Sequence, residues 1–113
     1  MKQGEIWQIE LDPAVGAEMK KTRPALIINA DALGKLPLKI IAPITDWKEQ
    51  YSGYPWMVKI APTEQNGLTK ASALDCFQMR CVSVERFTFL VGSTGPETIG
   101  QTQEAVIKVI GAL

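Results

Sequence analysis

The feature that most constrains the fold is a change of hydrophobic period at Gly95-Pro96. Before that point apolar residues come in short runs separated by glycine, proline and polar clusters, whereas after it they recur at steps of three and four. Short runs bounded by turn residues mark β-strands, and a three-to-four step marks one face of a helix. The chain therefore reads as several short strands followed by one terminal helix.

Glu5-Ile6-Trp7-Gln8-Ile9-Glu10-Leu11 alternates, so a strand over 5–11 turns Trp7, Ile9 and Leu11 to one face and Gln8 and Glu10 to the other. Residues 23–29 are apolar on both faces, which suits a central strand. Asn29 to Gly34 is a turn ended by glycine, and Leu38 to Asp46 is a third, nearly continuous apolar strand from whose end Thr45 and Asp46 emerge. A polar loop, Trp47 to Tyr54, precedes a strand at Trp56–Ile60, and Asn66-Gly67 marks a tight turn. Ala71 to Val82 reads as one or two strands with Phe77, Met79 and Cys81 facing one way and Gln78 and Arg80 the other. Ser83 to Arg86 connects to a last strand at Phe87–Val91, in which Phe87 and Phe89, like Trp7, are expected in the core. Pro96 fits a first helical turn, and Ile99, Gln103, Val106, Ile107, Ile110 and Leu113 define the helix's apolar face. Five or six short strands and one helix describe a mainly β fold, a small β-barrel or curled antiparallel sheet with the helix against it. At 113 residues the chain reads as a single domain over 1–113.

Composition removes several functional classes. Twelve basic and twelve acidic residues cancel, so no overall positive field exists to hold a long nucleic acid non-specifically, and any such binding is local. Histidine is absent, which excludes histidine acid–base catalysis, the usual catalytic triads and most zinc sites. Cys76 and Cys81, five apart in one expected strand, point to opposite faces and read as small apolar fillers in a reducing compartment. MKQGEIWQ has no apolar signal core and no apolar run approaches membrane-spanning length, so a cytoplasmic protein with no membrane partner is expected.

The unusual chemistry is concentrated in Pro13 to Pro24, PAVGAEMKKTRP, a loop between the first two strands. Gly16 allows a bend, Glu18 supplies a carboxylate, and Lys20, Lys21 and Arg23 form the only dense basic cluster. Pro24 fixes its own φ and biases Arg23 towards an extended backbone, so the guanidinium sits on a stiff strand end as a pre-placed clamp for an anion such as phosphate. A merely solvated hairpin loop is the competing reading. Trp47, Tyr51 and Tyr54 either pack, within the chain or against a second subunit, or stack on a base.

Gly4-Glu5-Ile6-Trp7, Asp12-Pro13, Gly16-Ala17-Glu18 and Lys21-Thr22-Arg23-Pro24 running into Leu26-Ile27-Ile28 resemble the MazF/PemK toxins of bacterial toxin–antitoxin pairs. Ile44-Thr45, Ser72, Gln78, Arg80 and the Ser83–Arg86 connector match in the same order, so the likeness spans nearly the whole chain. It implies an SH3-like β-barrel of the CcdB/MazF/PemK type with a C-terminal helix. It further implies a homodimeric, metal-independent endoribonuclease with no cofactor, which cuts single-stranded RNA such as mRNA at short sequences and is silenced by a cognate antitoxin. The products expected are a 2′,3′-cyclic phosphate and a 5′-hydroxyl. The family pattern puts the catalytic arginine at Arg23, its threonine partner at Thr45 and the loop glutamate at Glu18. This chain departs from it in having no histidine in the first loop and in carrying Phe77 where many members have an acidic residue before the glutamine.

These residue types suit the reaction. RNA supplies its own nucleophile, the 2′-hydroxyl, so the protein needs only to orient and neutralise. Arg23 can meet two equatorial phosphate oxygens and Thr45 can donate one more hydrogen bond. Glu18, or alternatively Asp46, can take the 2′ proton. Lys20, Lys21, Gln78 and Arg80 are the expected RNA-binding residues, Gln78 and Arg80 either reading base edges or holding flanking phosphates. An acidic, disordered antitoxin tail could occupy the Lys20, Lys21 and Arg23 groove in place of RNA. Two other readings share the architecture: a CcdB-like toxin that binds DNA gyrase without catalysis, and a non-catalytic SH3-like module that binds an extended peptide.

Overall fold

In the computed structural model, which describes residues 1–33 and 35–112, the chain forms seven strands and one α-helix. The strands are β1 (Glu5–Glu10), β2 (Thr22–Ile27), β3 (Leu38–Asp46), β4 (Met57–Ile60), β5 (Ser72–Asp75), β6 (Arg80–Ser83) and β7 (Phe87–Ser93), and the helix α1 is Pro96–Ile110. They make one antiparallel sheet in the order β4-β5-β3-β2-β1-β7, with β6 also beside β3. This is the mainly β, SH3-like architecture with a C-terminal helix expected from the sequence. Gly34, which was to end the turn after Asn29, and Leu113, the last residue of the helical stripe, lie outside the described residues.

The nine-residue β3 organises the sheet. Its first half pairs with β6 and its last three residues with β5, while β2 holds the opposite edge. Side chains of the central strands feed two cores. Ile6, Leu26, Ala42 and Ile44 join Leu74, Cys76 and Ala105 on one side, and Ile9, Leu11, Ala25, Ile27, Ile41 and Val82 pack on the other. A strand between two cores must be apolar on both faces, which is why β2 shows no alternation.

Asn66-Gly67 makes its turn within a loop. The buried Asn66 side chain accepts N–H bonds from Thr63 and Leu68 at 3.0 Å and donates to the Ala61 carbonyl at 2.9 Å. Gly67, at φ 71°, lies so close to β7 that a Cβ would fall 2.1 Å from the Val91 carbonyl oxygen.

Four details differ from the sequence reading. The strands number seven rather than five or six, with Ala71–Val82 taking the two-strand alternative and divided by a 3-10 turn at Cys76–Gln78. The buried carboxylate of Asp75 causes the break by accepting the N–H groups of Phe77 at 3.0 Å and Gln78 at 3.3 Å. The expected alternation therefore fails: Phe77 is thrown outward, Met79 packs against the first core and Cys81 is exposed, so only Cys76 is a filler. Burial and the neighbouring Asp75 charge push the Cys76 thiol up to about 12, which leaves it neutral and inert. Phe89 is exposed, because β7 is an edge strand with irregular pairing to β1; Phe87, in contrast, meets Trp7 edge-on at 5.7 Å. Finally, α1 buries Thr102 and Ala105, with Val106 and Val109 packed on the core, while Ile99, Gln103, Ile107 and Ile110 line an open apolar groove with Ile28 and Ile40. The helix ends at Gly111, φ 71°, whose N–H reaches the carbonyls of Ile107 and Lys108.

Candidate active site

Strand register brings the two principal candidates together. Ala25 pairs with Pro43 and Leu26 with Ala42, so continuing the register two residues outward sets Arg23 opposite Thr45. Arg23 Nη1 lies 3.5 Å from Thr45 Oγ1, and Arg23 Nε donates to the Lys20 carbonyl at 3.0 Å. The first distance exceeds an ordinary N–H···O bond, so the groups are side by side without being locked. Among the described residues Arg23 makes no ion pair with a carboxylate. A half-buried guanidinium with two neutral acceptors and no counter-charge is suited to an incoming anion.

The loop between β1 and β2 is held at both ends. At its root Arg86 donates to the Glu10 carbonyl at 3.0 Å and the Asp12 carbonyl at 2.7 Å, and Arg80 donates to the Leu11 carbonyl at 3.3 Å. The Glu10 carboxylate accepts from the Asp12 N–H at 3.0 Å and the Thr22 hydroxyl at 2.8 Å. Further along, the Gln78 side chain accepts the Met19 N–H and donates to the Ala17 carbonyl at 3.3 Å. Gly16, at φ 60°, makes the expected bend, and Lys21, at φ 70°, occupies the left-handed region without being glycine. Such a conformation persists only where surrounding contacts impose it, here including the Leu11 N–H bond to the Lys21 carbonyl at 2.9 Å.

Glu18 is exposed and closes a local turn, one carboxylate oxygen accepting the Val15 N–H at 2.6 Å. It shares a cleft of about 470 Å³ with Leu11, Met19, Phe77, Gln78 and Arg80. Lys20 and Lys21 are exposed beside Arg23 on the same loop. Asp46, the rival proton acceptor, faces Lys70 Nζ at 3.0 Å and is thereby engaged. Thus Arg23 and Thr45 adjoin, Glu18 with Gln78 and Arg80 line the neighbouring cleft, and the last two also support the loop.

Sequence reasoning missed the residues that build this frame. Asp75 was readable in principle, since an aspartate just before a short turn is a common cap. Burial pushes its carboxyl up, against the opposing pull of the Gln78 and Phe77 N–H groups. Arg86 carried no local signal, because its partners are 74 and 76 residues away.

The fold and this cationic strand tip define a small, mainly β protein with a site suited to an anion. Residues 2–110 match the family model of the PemK-like, MazF-like toxin of type II toxin–antitoxin systems, and the chain belongs to that family. It is similar to endoribonuclease MazF9 of Mycobacterium tuberculosis, 29% identical over 112 residues covering 94% of this chain and 92% of the relative. Endoribonuclease EndoA of Bacillus subtilis is 28% identical, covering 94% and 90%. The fold matches a mycobacterial endoribonuclease solved in complex with its cognate antitoxin, with a TM-score of 0.79 at 15% identity over 100% of this chain and 97% of that one.

Proposed function

We propose that this protein is a one-domain, metal-independent toxin endoribonuclease that cuts single-stranded RNA and is held inactive by a cognate antitoxin. Family membership and two endoribonuclease relatives support the class, and they do not favour the gyrase-binding or adaptor readings. The observation that carries the chemistry is the juxtaposition of Arg23 and Thr45 at neighbouring strand tips, with no carboxylate on the arginine among the described residues.

In this reading a phosphodiester enters between the two groups. Arg23 takes two of its oxygens in a planar fork and Thr45 donates to one of them, so that both strengthen as charge grows on the phosphoryl group. Glu18 takes the 2′ proton through its second carboxylate oxygen, for which the described residues provide no hydrogen-bond donor. The 2′-oxygen bonds to phosphorus, the bond from phosphorus to the 5′-oxygen breaks, and that oxygen takes a proton from solvent. The products are a 2′,3′-cyclic phosphate and a 5′-hydroxyl. Each oxyanion donor is worth about a hundred- to a thousand-fold, and the proton transfer about a hundred- to ten-thousand-fold.

Lys20 and Lys21 attract the RNA backbone, and Gln78 and Arg80 line the cleft that a flanking nucleotide enters. An acidic antitoxin segment would compete for the same cations. The toxin acts as a homodimer, and the apolar groove beside α1, with Ile40 and Ile110 exposed, offers a second copy a surface to cover. Its place of action is the cytoplasm; among the described residues no helix is long and apolar enough to cross a membrane.

Primer extension on RNA treated with the pure protein tests this. Cutting is expected to continue in excess chelator, to leave cyclic phosphate ends, and to stop when the cut nucleotide is a deoxyribonucleotide. Cleavage of the deoxy-substituted strand would eliminate the 2′-hydroxyl mechanism.

A further inference from the structure

Five aromatic rings form a continuous strip leading from the strand end that carries Thr45 to the mouth of the cleft. Trp47, Tyr51, Tyr54, Trp56 and Phe77 follow one another with centroids 5.9, 6.0, 4.9 and 5.8 Å apart. Tyr54 and Trp56 are stacked at 12°, and Trp56 meets Phe77 at 63°, edge to face. Lys59 Nζ stands 5.1 Å from the Trp47 ring centre. The strip ends at a phenylalanine that is 65% exposed, where burying its ring would have been the ordinary outcome.

The Asp75-capped turn explains how Phe77 comes to stand out. The N–H groups of Phe77 and Gln78, bonded to the Asp75 carboxylate, fix the turn, so the ring is presented by a rigid element. Its neighbour Gln78 is tied to the catalytic loop, and Phe77 lines the same cleft as Gln78, Arg80 and Glu18. A rigid exposed ring backed by a stacked pair, beside a cleft that holds an arginine, has the parts of a base-stacking site.

We propose that Phe77 is an RNA-binding residue, a platform on which a base flanking the cut stacks, with Trp56 and Tyr54 buttressing it. The proposal rests on the endoribonuclease reading and adds a subsite to it. Stacking tolerates any base, so the site contributes affinity and placement rather than base discrimination.

Base–aromatic stacking is worth about 1–3 kcal/mol, or roughly a five- to 150-fold change in binding. The test uses the full chain, a cleavable RNA, and a matching strand with deoxyribose at the cut for affinity. Phe77→Ala should weaken binding and raise KM by such a factor with kcat within about threefold, and Phe77→Trp should restore both. Abasic substitutions are then placed one at a time around the cut. At one position the missing base should cost the wild type the same factor while costing Phe77→Ala nothing further. Identical abasic profiles for wild type and Phe77→Ala would overturn the proposal, as would an unchanged KM. Normal RNA handling with weakened antitoxin binding would also overturn it, and would reassign the strip to a protein partner. If wild-type protein cuts no RNA, the endoribonuclease reading itself fails and the subsite with it.

Discussion

Arg23 and Arg86 are the same side chain put to opposite uses. Arg86 Nη1 is engaged by two backbone carbonyls, of Glu10 and Asp12, whereas Arg23 Nη1 touches only the Thr45 hydroxyl, at a distance too long for a firm bond. The first arrangement satisfies the cation locally and fixes the loop root. The second leaves a cation poised on a strand tip with its fork open. Arg23 Nε does donate to the Lys20 carbonyl at 3.0 Å, but its Nη1 meets no carbonyl, so that end of the guanidinium is available to a substrate whereas the same end of Arg86 is spent on the fold. Arginine count or exposure alone would not separate them.

Paired substitutions break or sharpen that contrast. Arg23→Ala is expected to lower the rate of RNA cutting by at least about a thousand-fold, since it removes both bonds of the fork, with the melting temperature hardly changed. Arg86→Ala is expected to do the reverse, lowering stability by about 1.5–3 kcal/mol for its charge-assisted hydrogen bonds. Its activity should fall much less, and by loosened loop placement. Initial rates and urea unfolding on both variants decide the matter. Should the two lose activity equally with equal loss of stability, the distinction between an open and an occupied guanidinium is empty.

Thr45 extends the comparison at smaller scale. Thr45→Val keeps the β-branched shape next to the buried Ile44 and removes only the hydroxyl. It should cost at least about tenfold in kcat with little change in KM, as for a donor that acts mainly in the transition state. A pure KM effect would make Thr45 a ground-state contact.

How far these roles were legible in the sequence follows from the range of the contacts involved. The strand pattern, the two-faced apolar character of β2 and the strand end carrying Thr45 are local properties, and the period of the side chains reveals them. The place of Arg23 at a strand end was readable because Pro24 stiffens the residue before it. What stayed hidden was non-local. The bonds of Arg86 and Gln78 to the first loop span 59 to 76 residues, so no window along the chain contains both partners. The Cys76–Gln78 turn was hidden differently: its residues keep an alternating pattern that a strand would also show, and one buried carboxylate overrides it. What each part of the helix stripe faces also stayed hidden, because an apolar face lining an open groove has the same period as one packed on a core.

That carboxylate provides the subtlest test of the frame. Asp75 is buried, and burial raises its pKa above the usual aspartate value of 3.8 while two backbone N–H groups pull the other way. An acid whose folded pKa lies above its unfolded one carries more protons folded than unfolded between the two values. Its contribution is therefore fully present below the unfolded value and is lost as pH rises through the folded one. Asp75→Asn cannot titrate, yet its amide oxygen can still accept from Phe77 and Gln78, so the turn and the Gln78 latch should survive. Urea unfolding of both proteins from about pH 3 to about pH 7 should show the wild type losing ground to the variant as pH climbs from the aspartate range, then a constant difference. If the wild type instead gains on the variant over that span, the N–H bonds to the ionised form outweigh burial. The turn that presents Phe77 and Gln78 would then be held chiefly by charge.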